Sequence, residues 1–220
     1  TTDYRRSATS TGRPSAPVIR RLDAGVVDAL TDLARLHHIG LHALLTTLLA
    51  AEARRRENRS HLIIGSALSV RPPGAGQAVG YFVNLLPLIL SAAEDDSLAA
   101  QFLATQSSLA GAIEHSRYPS GSIYREFRQR HPDARPHSRT SLFDISLTAN
   151  PSRTCGDGAP LALTPRRLPG ELAHLPAGLA DLAFSHEPVD DQGGGLELAL
   201  LWNPDVYSRA TAEAWLDSFA

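Results

Sequence analysis

The sequence predicts an α/β fold, a sandwich built on a mixed β-sheet, and three observations carry that prediction. His61–Val70 has the length and composition of a buried strand, and Tyr81–Leu90 is an apolar run that also reads as a strand. Two helix-period segments meet at Gly40, giving a helix pair between strand segments. Near the end of the chain, the turn-rich stretch Asp190–Gly195 joins two more strand segments as a hairpin would.

Taken in order, residues 1–15 are rich in Thr, Ser, Arg, Gly and Pro and read as a tail or an interdomain linker. Ala16–Leu22 alternates loosely and is expected to be a strand. Asp23 can then cap a helix whose apolar positions are Val26, Val27, Leu30, Leu33 and Ala34. Gly40 is expected to stop that helix. Leu41, Leu44, Leu45, Leu48 and Leu49 mark a second, strongly amphipathic helix ending in the basic run Arg54–Arg56, which suits a helix C-terminus. The strand His61–Val70 is followed by a loop, Arg71–Gly76. In Tyr81–Leu90 the apolar run is broken by Asn84 and Pro87, and Pro87 requires a bulge or a sheet edge. Beyond Asp95 and Asp96, a helix is expected with Leu98, Phe102, Leu109 and Ile113 on one face, then a shorter one over Ser122–Arg130. Strands are expected at Leu142–Ala149, Leu161–Thr164, Asp181–His186 and Leu196–Trp202. A terminal helix carries Ala212, Trp215, Leu216 and Phe219.

Composition narrows the function. With 220 residues the chain can bury a sizeable core, and its 43% hydrophobic and 20% charged content is ordinary for a globular protein. A formal net charge of −2 excludes the basic footprint of a general nucleic-acid binder. The one cysteine, Cys155, excludes an intrachain disulfide and leaves no cysteine-rich zinc site; a cytosolic compartment is expected. All 21 basic residues are arginine, which removes lysine chemistry such as Schiff bases. That bias, with the high alanine content, suits a GC-rich, actinobacterial coding sequence. The absence of methionine suggests a piece cut from a longer protein.

Candidate chemistry is sparse. His38 and His42 stand four apart, a spacing that chelates zinc on one helix face, but Gly40 falls between them. His37, His38 and His42 therefore read as solvated residues around a helix end. His186 and Asp190 form an HxxxD string of the kind acyltransferases use for general-base catalysis. Here it runs into Gly193-Gly194-Gly195, so His186 is expected on a wet, mobile hairpin tip. Ser66, Ser69 and Ser146 are strand serines with no recognisable base. The residues alone describe an α/β domain without a complete active site.

Longer motifs resemble a known family. Val79-Gly80-Tyr81-Phe82-Val83-Asn84-Leu85-Leu86-Pro87-Leu88 resembles the "IGFFVNTLPLR" motif of condensation domains from nonribosomal peptide synthetases. Leu62-Ile63-Ile64-Gly65-Ser66-Ala67 is similar to their "IVVGTPVAGR" strand, with a loop one residue shorter, so that Arg71 only roughly matches the arginine. His115-Ser116-Arg117-Tyr118-Pro119 resembles "HQDYPFE", with the Asp, Phe and Glu replaced. Ser138–Phe143 resembles "SRNPLF", and Trp202–Tyr207 resembles the "YNTDLF" before the last helix. Thr2–Arg6 is similar to the "TDRPRP" linker between the two lobes.

The resemblance runs in order through nearly the whole chain. It implies a chloramphenicol acetyltransferase-like lobe: an α/β two-layer sandwich, a mixed sheet with helices on one face. Residues 1–15 would be the interlobe linker or tail and residues 16–220 the C-terminal lobe of a condensation domain. The catalytic "HHxxxDG" belongs to the N-terminal lobe, and His37 and His38 fall at a helix junction, so they are not that motif. No catalytic and no metal-binding residue is expected in this chain. Tyr81 and Asn84 are the substrate-tunnel candidates, Asn84 being the polar exception in an apolar strand; the alternative is that its amide merely satisfies backbone near Pro87. Implied partners are the N-terminal lobe, donor and acceptor peptidyl carrier proteins bearing phosphopantetheine arms, and an adjacent adenylation domain. The implied activity is peptide-bond formation between carrier-bound thioesters. A non-catalytic recruitment domain is the alternative, kept open by Tyr118-Pro119-Ser120-Gly121 and the short Arg71 loop. An epimerisation-type lobe is the other, and Asn84 argues against it because that class reads more like "GWFTSLFP" there.

Overall fold

A computed structural model describes residue 3 and residues 15–93, 96–133, 142–150, 180–189 and 194–220. The strands are β1 (Val18–Leu22), β2 (His61–Ser69), β3 (Val83–Ser91), β4 (Ile145–Ala149), β5 (Leu182–Val189) and β6 (Gly195–Trp202). The helices are α1 (Ala24–Leu36), α2 (Leu41–Glu57), α3 (Leu98–Glu114), α4 (Ser120–Arg130) and α5 (Arg209–Phe219). The strands form one sheet in the order β1-β6-β5-β4-β2-β3. β4 runs parallel to both β2 and β5, while the other pairs are antiparallel, so the sheet is mixed.

Alternation along each strand decides what faces the helices. Ile64, Leu88, Leu147, Phe184, Leu198 and Leu200 point into a single core against Leu44, Leu49, Trp215 and Leu216. The helices line that face, giving the expected two layers. Asp23 is the N-cap of α1 as predicted, its Oδ1 accepting from the Val26 N–H at 3.0 Å. Asp23→Ala is expected to cost about 1 kcal/mol, the usual worth of such a cap, measured by urea denaturation.

Three elements differ from expectation. α2 is not amphipathic. Ala43, Leu44, Leu45, Thr46, Thr47, Leu49, Ala50 and Ala53 are all buried, because α2 packs on the sheet and also on α1, α3 and α5. Thr46 and Thr47 tolerate this by donating to their own helix at His42 O (2.7 Å) and Ala43 O (2.9 Å). On α3 the buried stripe is Phe102, Thr105 and Leu109, whereas Leu98 and Ile113 are exposed; α3 rides over the edge strand β3, which covers little of it. α1 already ends at Leu36. The left-handed residue is His38 (φ 54°), and Gly40 is the extended N-cap of α2.

Pro87 lies on β3, at the edge of the sheet where a missing N–H is tolerated. The strand expected at Leu161–Thr164 lies outside the described residues. Among the described residues, no helix is long and apolar enough to cross a membrane.

Candidate functional site

The structure corrects the reading of His186. β5 continues past it to Val189, because Glu187, Pro188 and Val189 all pair with β6. His186 therefore shares the core face with Leu182 and Phe184 and is only 6% exposed, not at a wet hairpin tip. Asp190, the other end of the HxxxD string, lies outside the described residues.

What His186 meets is His42. His42 Nδ1 and His186 Nε2 are 3.0 Å apart, and the two rings stack with centroids 5.3 Å apart. On the other side of the ring, His42 Nε2 is 2.8 Å from Ser66 Oγ, which is fully buried. Ser66 thus has a base after all, brought from the first turn of α2. Nor does His42 pair with His38; His37 in turn packs on Phe102, with ring centroids 5.1 Å apart. Among the described residues, no group of three or more His, Cys, Asp or Glu side chains could hold a metal.

Burial lowers the pKa of both rings. His42 is shifted by burial alone, while His186 is pushed down to about 4 by burial and then by the neighbouring His42. Both are neutral at pH 7. A serine, a neutral histidine and a second histidine within hydrogen-bond reach have the connectivity of an activated nucleophile. Ser66 is sealed in the core, however, so its Oγ has no exposed face in this chain.

The tunnel candidates lie further along the β2–β3 hairpin. Asn84 Nδ2 donates to Ser116 O and Tyr118 O, both at 2.8 Å, and its Oδ1 accepts from the Ser120 N–H at 3.3 Å. The amide is satisfied by the chain's own backbone, at the α3–α4 corner and not at Pro87. Tyr81, just before β3, is 86% exposed. Arg71 shapes the intervening loop: its Nη1 donates to Ala75 O (2.7 Å) and Ala78 O (2.8 Å), and its guanidinium lies 4.1 Å from the Phe82 ring centroid. Of the residues singled out, the structure brings together Asn84 with the Tyr118 segment, and His42 with His186 and Ser66. The second grouping was missed in the sequence. The one signal for it is the alternation Leu182, Phe184, His186, which puts the histidine on an apolar face.

A family model for the condensation domain matches residues 2–220, and the chain belongs to that family. Surfactin synthase subunit 2 of Bacillus subtilis is 28% identical over 208 residues, covering 93% of this chain and 5% of that protein. The chain thus spans a small part of the curated relatives it matches. Among solved structures, a four-domain holo nonribosomal peptide synthetase bound to AMP and glycine superposes with a TM-score of 0.80 at 20% identity, covering 98% of this chain and 17% of that one. The X-domain from teicoplanin biosynthesis gives 0.77 at 20% identity, covering 99% and 48% respectively. The same X-domain in complex with OxyB gives 0.76 at 21% identity, covering 100% and 46%. These likenesses establish the fold.

Proposed function

We propose that this chain is the C-terminal lobe of a nonribosomal peptide synthetase condensation domain, serving peptide-bond formation between carrier-bound thioesters. The observation that carries the reading is the family match over residues 2–220 in a chain equal to about half of a structurally similar domain. In this reading the acceptor amine attacks the donor thioester carbonyl, and the carrier thiol leaves with the proton the amine gives up. The histidine that positions or deprotonates the amine belongs to the N-terminal lobe. This lobe supplies one wall of the tunnel through which the two phosphopantetheine arms meet, and part of each carrier dock. Holding two tethered substrates in line can remove about 7 kcal/mol or more of the barrier in ideal cases.

Tyr81 is the tunnel-wall residue with a free face, since its side chain is exposed. Asn84 contributes by holding the corner beside that wall. Val79, Tyr81 and Val83, exposed within one short segment, suit a surface that the N-terminal lobe covers.

Two measurements test this. The chain alone, mixed with loaded donor and acceptor carriers, is expected to give no dipeptidyl thioester by intact-protein mass spectrometry. The chain joined to the lobe that precedes it, with an intact HHxxxDG, is expected to give that product. The second reading is a recruitment platform for a partner enzyme, favoured by the likeness to an X-domain solved with OxyB. No product from the joined lobes, with retained binding of a tailoring enzyme, would select it.

A further inference from the structure

Ser66, His42 and His186 tie together three separate elements: the middle of β2, the first turn of α2 and the far end of β5. The proton count of this chain is restrictive. With both rings neutral, one proton fills the 3.0 Å nitrogen–nitrogen contact and one the 2.8 Å contact to Ser66 Oγ, so both links are made. One further proton can be held on either ring with the links kept. A second puts an N–H on both sides of the nitrogen–nitrogen contact, which breaks it.

We propose that Ser66–His42–His186 is an acid-sensitive pin, fastening the N-terminus of α2 to the sheet while uncharged and releasing it as the pair is protonated. Among the described residues, nothing packed around the pair compensates an added charge. From β2 it meets the Ser66 hydroxyl. From β6 it faces Leu198, the cross-strand neighbour of His186, and from β4 the register partner is Ala149. Glu187 and Glu197 alternate to the opposite face of the sheet. On α1, Ala34 and Leu30 belong to the core, and His37, just past its end, packs on Phe102. α3 offers the neutral Gln106, whose Oε1 lies 3.5 Å from the Gly40 N–H. The acidic and basic side chains of α2 itself, Glu52 and Arg54 onward, lie toward its other end. His186 is depressed accordingly, from 6.5 to about 4, and His42 is lowered as well.

The sign follows from linkage. A histidine held below its unfolded value binds more protons in the opened state, so the pin is at full strength above pH 6.5 and is lost as pH falls through about 4. One histidine gives roughly a tenfold rise in the opening constant per pH unit within that window. The test uses the full 220-residue chain. Ring-nitrogen NMR is expected to show His186 neutral and in one tautomer until well below pH 6.5. Amide-exchange protection of Leu44 and Leu45, corrected for intrinsic rates, is expected to fall about tenfold per unit between pH 6.5 and 5. The variant carrying His42→Leu and His186→Leu is expected to lose that slope. A His186 ring titrating near 6.5, or flat protection over the window in the native chain, overturns the proposal even if the variant does not fold.

Discussion

Gly65→Val is expected to be the most damaging single substitution in the sheet, costing about 3 kcal/mol or more. A Cβ built at Gly65 would sit 2.3 Å from Phe143 Cε2 and 2.6 Å from both Cδ2 and Cζ, so the ring lies directly on the glycine backbone. Neither side can yield easily. Phe143 is buried, and Gly65 is held between Pro87 on β3 and Ser146 on β4. Overpacking of this kind costs roughly 1–3 kcal/mol for modest insertions, and valine adds two methyl groups beyond the clashing Cβ. Against a typical domain stability of about 5–15 kcal/mol, that is a large fraction. Urea denaturation of Gly65→Ala and Gly65→Val should rank them in that order below the native chain. Phe143→Ala in the Gly65→Ala background should cost less than it does alone, because the clash and the ring are removed together. An undiminished midpoint for Gly65→Ala would overturn the argument. The glycine of the Leu62–Ala67 motif thereby has a steric reason that does not depend on substrate.

Most of the fold was legible because its signals are local. The Asp23 cap, the apolar strands at β2 and β3 and the basic end of α2 each lie within a few residues of the structure they specify. What failed depends on partners far along the chain. β5 was expected to end at His186 because the glycine-rich run beyond it reads as a hairpin tip, yet pairing with Glu197 and Leu196 carries the strand on to Val189. α2 was expected to have a polar face because its neighbours α1, α3 and α5 are invisible in its own sequence. His42 and Ser66 are separated by 24 residues and His42 and His186 by 144, so no motif spacing could join them. The family resemblance reached the right fold without these details, since its motifs record strands and turns more directly than contacts.

Asn84→Leu tests the remaining ambiguity, and here the expected loss is of stability first. α4 begins after Pro119, which provides no side-chain cap, so the helix N-terminus lacks the usual local acceptor. Asn84 Oδ1 replaces it from the edge strand by accepting from the Ser120 N–H, the first residue of the helix. Its Nδ2 takes the carbonyls of Ser116 and Tyr118, just past the end of α3. One amide therefore clamps both sides of the α3–α4 corner to β3. Leucine is close in volume but offers none of these bonds. Losing three, with the Tyr118 carbonyl partly repaid by water, is expected to cost about 2 kcal/mol. For a chain of this size that lowers the melting temperature by roughly 4–8 °C. Asn84→Asp keeps the acceptor for Ser120 but sets a carboxylate against two carbonyl oxygens, so it should rescue little. Turnover in the joined two-lobe domain should then fall in proportion to the folded fraction, together with the order of the corner beside Tyr81. A melting temperature unchanged in Asn84→Leu, with single-turnover condensation sharply reduced, would instead mean that the amide serves the substrate and that its three backbone contacts are incidental.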